Sequence, residues 1–224
     1  MSASETAKRT IIRNCKYQPA AKIVQHNQAK LAVSHHICNG SGEPASLSAR
    51  AEQLRNSLAD DDFDRLTLDH NADYLTRFAA VQSNIVFPEA ERMAPGKSAP
   101  IMLNGVKITT EILFRLRRTT RSNEVRIGAG MIRYAKNRPL SEDVAMWQSA
   151  FLLGYLGLTE ADPSESPEAK LCLTVDAFAG KSYAAPGDSV SRFKNMKSAC
   201  ESIAERWEKI QPPPKAILEG EISN

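Results

Sequence analysis

No run of apolar residues in this chain of 224 approaches the ~20 that a membrane-spanning helix requires. The most apolar stretch, Met146 to Leu158, is interrupted by Gln148, Ser149 and glycines, so a buried helix is expected there, and no membrane partner. The N-terminus lacks the apolar centre of a secretory signal. Cysteine is scarce: Cys15, Cys38, Cys172 and Cys200 are scattered and form no C-x-x-C pair. That pattern suggests reduced thiols in a cytoplasmic protein rather than a disulfide framework. His26, His35, His36 and Cys38 match no zinc spacing, and the adjacent His35 and His36 diverge on a helix. There is no G-x-S-x-G, P-loop or G-x-G-x-x-G, and no Cys–His pair at an interpretable spacing, which leaves a nucleophilic hydrolase poorly supported. Internal repeats and low-complexity segments are also missing.

What is present suits one sizeable core. Hydrophobic residues make up 42% and charged residues 25%, ordinary for a globular chain. The first forty residues are basic, with Glu5 their sole acid. Residues 1–16 read as a loose polar arm. Pro19 suits a first helical turn, Ile23, Val24, Leu31 and Ile37 anchor a helix, and Asn39-Gly40 stops it. A short helix with Leu47, Leu54 and Leu58 follows. Asp60 to Asp64 then supply first-turn negative charge to a longer helix, in which Phe63, Leu66, Tyr74, Leu75, Phe78 and Val81 form one apolar stripe.

The stretch Ile101 to Arg138 carries the clearest strand period. Asn104-Gly105 between Ile101-Met102-Leu103 and Val106-Lys107-Ile108 is a hairpin signal, because both turn positions tolerate positive φ. Thr110, Ile112, Phe114 and Leu116 alternate with Glu111, Leu113, Arg115 and Arg117, and Val125, Ile127, Ala129 and Met131 with Arg126, Gly128, Gly130 and Ile132. A curved antiparallel meander is expected, with Gly128 and Gly130 allowing a bend or the close approach of a partner. Beyond it, Ser141 opens a helix through Leu158, and Asp162 to Glu168 reads as a solvent-exposed loop. Leu171 to Phe178 reads as a strand with a partner at Ser182 to Ala185, and Asp188 or Ser189 opens a last helix that ends before Pro212-Pro213-Pro214.

Positive charge is concentrated in the meander. Between residues 107 and 138 stand Lys107, Arg115, Arg117, Arg118, Arg121, Arg126, Arg133, Lys136 and Arg138 against Glu111 and Glu124, nine minus two or +7, while the whole chain carries +3. Segregated arginine suits a polyanion, because the guanidinium fork matches phosphate. A solvated sheet face with charged edges is the plainer account. Tyr134 and Tyr183 are candidates for stacking on bases.

From Phe63 onward the order is helix, three-strand meander, helix, strand, helix. This order resembles the core of the PD-(D/E)XK nuclease superfamily, particularly its RecB- and Cas4-like exonuclease branch, over about residues 60–207. The resemblance implies an acid on the second strand and an acid-x-Lys pair on the third, holding Mg²⁺ and polarising a water. Glu111 matches the second-strand acid and the metal ligand, and Lys136 the lysine, both as candidate catalytic residues. The acid two residues before Lys136 is missing, since Tyr134 stands there. Gln148 falls where that branch often carries a glutamine, without the usual downstream tyrosine spacing, and the iron–sulfur cysteines of Cas4-like members have no counterparts.

The fold expected is therefore α+β: an antiparallel three-stranded meander flanked by helices, a restriction-endonuclease-like αβββαβ core over residues 60–210. A basic helical N-terminal extension occupies 1–59, and a mobile tail 211–224. The function expected is nucleic-acid binding by a degenerate nuclease-like domain, DNA being favoured over RNA, with Arg115, Arg117, Arg118, Arg121, Arg126, Arg133 and Lys136 on phosphates and no cofactor. The alternatives are an active Mg²⁺-dependent nuclease with a rearranged acid, drawing on Glu89 or Glu91, and a non-enzymatic scaffold or homodimer built on the helical N-terminal segment.

Overall fold

A computed structural model of the chain describes residues 4–17, 24–40, 42–160 and 162–213. It is α+β, with six helices and two sheets among those residues. The chain divides into two compact units, the larger comprising Val24–Ile101 and Thr109–Lys194 and the smaller Met1–Ile23, Met102–Ile108 and Asn195–Asn224.

The larger unit is built on a mixed sheet. Strands β1 (Glu91–Met93), β4 (Phe114–Thr119) and β5 (Val125–Arg133) run antiparallel to their neighbours in the order β1-β4-β5. Helix α5 (Glu142–Thr159) then leads to β6 (Glu165–Pro167) and β7 (Leu173–Asp176), which both pair parallel with β5, at Val125–Ile127 and Gly130–Arg133 respectively. Strand β8 (Lys181–Ala184) closes the far edge antiparallel to β7. A parallel return needs a crossover longer than a hairpin, and α5 supplies it.

Three helices precede the sheet: α2 (Asn27–Cys38), α3 (Pro44–Asn56) and α4 (Asp62–Val81). Asp61 caps α4 by accepting from Asp64 N at 2.7 Å, and Asp62 and Asp64 place negative charge in its first turn, as the helix dipole favours. Gly40, at φ 85°, supplies the left-handed position just past α2. Ala29, Val33 and Ile37 of α2, Leu47, Ala51 and Leu54 of α3, and Leu68, Leu75 and Phe78 of α4 join Phe114, Leu116, Ile132, Leu173 and Val175 of the strands in one core. Each large apolar side chain so buried contributes roughly 1.5–3 kcal/mol. Strand alternation turns Ile127 and Ala129 to the face opposite Ile132, and α5 packs along β5, β7 and β8.

The smaller unit holds α1 (Glu5–Lys16), the hairpin β2 (Ile101–Leu103) and β3 (Val106–Ile108), and residues 195–207 of α6 (Ser189–Trp207). Asn104 and Gly105, at φ 43° and 85°, form the tight turn, as the Asn-Gly dipeptide requires. Asn104 Nδ2 donates to Lys197 O at 2.8 Å.

Several expectations are corrected. The Asn-Gly hairpin is a separate two-stranded sheet, and the third strand of the antiparallel run is β1, upstream of it. β1 alternates exposed and half-buried side chains and is three residues long, too short to show a period. Residues 109–113 are not a strand. Residues 5–16 are a helix, with Ser4 Oγ accepting from Ala7 N at 3.2 Å. The exposed loop expected at 162–168 contains β6. Residues 24–59, read as part of an extension, contribute α2 and α3 to the larger unit. Pro19 and residues 214–224 lie outside the described residues.

Candidate nucleic-acid interface

Strand β4 alternates as the sequence predicts. Phe114 and Leu116 are buried, Arg115 and Arg117 point the other way, and Arg118 follows in register with β5. Each of the three arginines meets its own glutamate from residues 160–168. Arg115 pairs with Glu160 at 2.5 Å, Arg117 with Glu165 at 3.1 Å, and Arg118 with both carboxylate oxygens of Glu168 at 3.0 and 2.5 Å. Arg115 Nε also donates to the Pro95 carbonyl at 3.0 Å. Across to β1, Glu91 stands opposite Arg117, an opposite-charge cross-strand pair. The +7 of residues 107–138 is thus partly offset by acids that arrive from elsewhere in the chain.

The remaining cations are less compensated. Arg126 pairs with Glu124, while Arg121 and Arg133 are exposed and make no ion pair among the described residues. Arg118 lies directly opposite Arg126 in the antiparallel register. Like charges so placed repel. An open cleft of ≈ 690 Å³ runs along this end of the sheet, lined by Arg117, Arg118, Arg121, Thr119, Thr120 and the acids Glu89 and Glu91.

Glu111 and Lys136, the residues matched to a catalytic pair, are each engaged elsewhere. Glu111 sits in the segment before β4 and pairs with Lys30 of α2 at 2.7 Å. Lys136, in the turn after β5, pairs with Asp73 of α4 at 3.1 Å. Tyr134, at the place of the missing acid, stacks on Tyr74 with ring centroids 4.0 Å apart and planes 10° from parallel. His26 meets both rings edge-on, at 5.9 and 5.5 Å. Burial pushes the Tyr74 hydroxyl well above the ordinary phenol range, helped by Tyr134 and the charges of Glu111 and Asp176. Burial also lowers His26, with His70 and Lys30 adding to the effect. One carboxylate held by an ammonium, beside an aromatic stack, does not fit Mg²⁺, a hard cation that wants several oxygens. Among the described residues no three His, Cys, Asp or Glu side chains are grouped to hold a metal ion. Gln148 lies on α5, its Oε1 hidden from solvent and without a hydrogen-bond partner among the described residues.

Two buried polar residues shape this part of the fold: Asn71, for which the sequence carries no local signal, and Asp176, which falls in the strand expected at Leu171 to Phe178 and is fully buried, not half-buried. Asn71, 1% exposed, accepts from Ala29 N at 2.9 Å and donates to the carbonyls of Gln25 and Thr67, both at 2.8 Å. It caps α2 from a neighbouring helix, where His26 at the N-cap makes no side-chain cap bond. Asp176, 2% exposed, accepts from the backbone of Leu140 at 2.6 Å, Phe178 at 3.0 Å and Ala179 at 2.9 Å. Its carboxylate is thereby committed to holding the turn after β7. The close approaches at Gly128 and Gly130 serve the chain itself. A Cβ at Gly128 would strike the Leu171 carbonyl, and Gly130 lies under the ring of its cross-strand neighbour Phe114. Compared with known proteins, the chain matches no family model, no curated protein and no solved structure.

Proposed function

We propose that this chain binds nucleic acid, DNA in the first instance, through the arginine-lined cleft at the β4–β5 end of the sheet, and does not cleave it. One observation carries the reading: Arg118 and Arg126 are direct cross-strand neighbours beside a cleft that also presents Arg117 and Arg121. Glu168 and Glu124 each hold one of the two guanidinium groups, and a phosphate placed between them serves both at once through charge-assisted bonds in competition with those carboxylates. Arg133 adds a further exposed cation on β5. The order α4, antiparallel β1-β4-β5, crossover α5, parallel β7 supports the resemblance to a PD-(D/E)XK-like core. Glu111 and Lys136 belong to separate salt bridges, and Tyr134 is packed where the resemblance calls for a second acid. Both support binding without metal-dependent hydrolysis.

Fluorescence anisotropy of labelled single- and double-stranded DNA across a salt series tests this. With three or four phosphates neutralised, log K is expected to fall with log salt at a slope of roughly −3 for duplex, and Arg121→Ala with Arg117→Ala is expected to flatten it. Absence of affinity at low salt removes the proposal. Cleavage of plasmid in Mg²⁺ that disappears in Glu111→Ala replaces it with an active nuclease.

A further inference from the structure

The basic N-terminal segment is not absorbed by that reading, and the smaller unit gives it a use. Helix α1 turns Arg9 and Arg13 toward Arg206 and Lys209 at the end of α6, and with Glu5, Ile210 and Gln211 they line a cavity of ≈ 330 Å³. Four cations and one carboxylate leave four minus one, +3, around it. Glu5 is already shared between Lys8 and Arg206, both at 3.0 Å. Arg9, Arg13 and Lys209 make no ion pair among the described residues, and Arg13 Nε is shielded from solvent with no acceptor among them. The walls are tied together. Lys16 Nζ donates to the carbonyls of Trp207 at 2.6 Å and Ile210 at 3.3 Å, and Tyr17 donates its hydroxyl to Ile210 O at 3.0 Å. These bonds satisfy the Trp207 carbonyl, which the C-terminus of α6 leaves open, and the Ile210 carbonyl just beyond it. They fix α1 against the end of α6, so the cationic groups converge without a ligand to gather them.

We infer that this cavity is an anion site for a phosphate group, free or at the end of a larger molecule. Guanidinium forks with unused donors, one of them hidden from water, suit the several oxygens of a phosphate dianion. The volume admits a phosphate or pyrophosphate and leaves no room for a run of stacked bases. The site is independent of the β4–β5 cleft, since it is built from other residues.

Isothermal titration of the full chain with sodium pyrophosphate, in a buffer free of phosphate, tests it. The expected result is saturable binding at one site, weakened roughly tenfold or more in Arg9→Gln/Arg13→Gln, as loss of charge-assisted bonds implies. Glu5→Gln removes the competing carboxylate and is expected to tighten binding by about threefold. Circular dichroism checks that the double variant retains its helices, and the Glu5 variant keeps the test decisive if it does not. No saturable heat at millimolar pyrophosphate, or weaker binding in Glu5→Gln, overturns the inference. A 5′-phosphorylated and a 5′-hydroxyl oligonucleotide identify the source. Preference for the phosphorylated strand, lost in the double variant, assigns the site to terminal phosphates. Equal binding of both with pyrophosphate silent overturns it, because the surface then reads only backbone charge.

Discussion

Tyr134 lies flat on Tyr74, 4.0 Å between ring centroids and 10° from parallel, two positions before Lys136 in the chain. The stack fills, with packed aromatic carbon, the place where the resemblance to a metal-dependent nuclease calls for a carboxylate. Tyr134→Ala is expected to lower stability by roughly 2 kcal/mol in urea titration, from lost burial and stacking at a half-buried ring. Tyr74→Phe is expected to be neutral or to stabilise by up to about 1 kcal/mol, because the Tyr74 hydroxyl is buried without a partner. A large loss in Tyr74→Phe refutes the view that this hydroxyl is idle.

The glutamates at 165 and 168 hold Arg117 and Arg118 and compete with any phosphate for them. Glu165→Gln/Glu168→Gln is expected to tighten DNA binding at low salt while costing about 1 kcal/mol or less of stability, since both pairs are partly solvated. Anisotropy and thermal melting on the same samples check the two halves. Weaker binding in the double variant contradicts the placement of the interface.

Removing the Asn71 side chain leaves Ala29 N and the Gln25 carbonyl without their buried partner. Asn71→Ala is expected to destabilise by roughly 2–4 kcal/mol, the usual consequence of orphaned buried polar groups. Hydrogen exchange is expected to locate the loss at the first turn of α2.

His26 is held below its usual value of 6.5 by burial first, then by His70 and Lys30. The unfolded chain therefore binds a proton more readily than the folded one between the folded value and 6.5, so stability rises with pH across that window and falls as pH drops through it. Urea midpoints at pH 7.5 and 5.5 are expected to differ less in His26→Gln than in the unaltered chain. An unchanged difference excludes His26 as a source of acid sensitivity.

Gly128→Ala is expected to prevent folding or to leave little native structure by circular dichroism, because the added methyl meets the Leu171 backbone, which cannot swing aside. The same change at Gly157 in α5, where a Cβ meets nothing within 4 Å, is expected to be tolerated and to raise helix stability by up to about 1 kcal/mol.

The local periods were legible. The stripe of α4 apart from Leu66, which is 46% exposed, the alternation Phe114–Leu116 against Arg115–Arg117, the apolar α5 and the Asn104-Gly105 turn each depend on neighbours a few residues apart, and short-range sterics and burial suffice to specify them. Partnership across the chain was not. Whether Arg115, Arg117 and Arg118 face solvent or Glu160, Glu165 and Glu168 is decided only when β6 lies down beside β5. A three-residue strand such as β1 takes its identity from the backbone donors and acceptors that β4 leaves open. The sequence by itself determined where charge and apolar faces lie along each element. The tertiary structure alone decided which charges are paired, because an ion pair is set by distance in space, and residues forty or fifty positions apart carry no local signal of meeting.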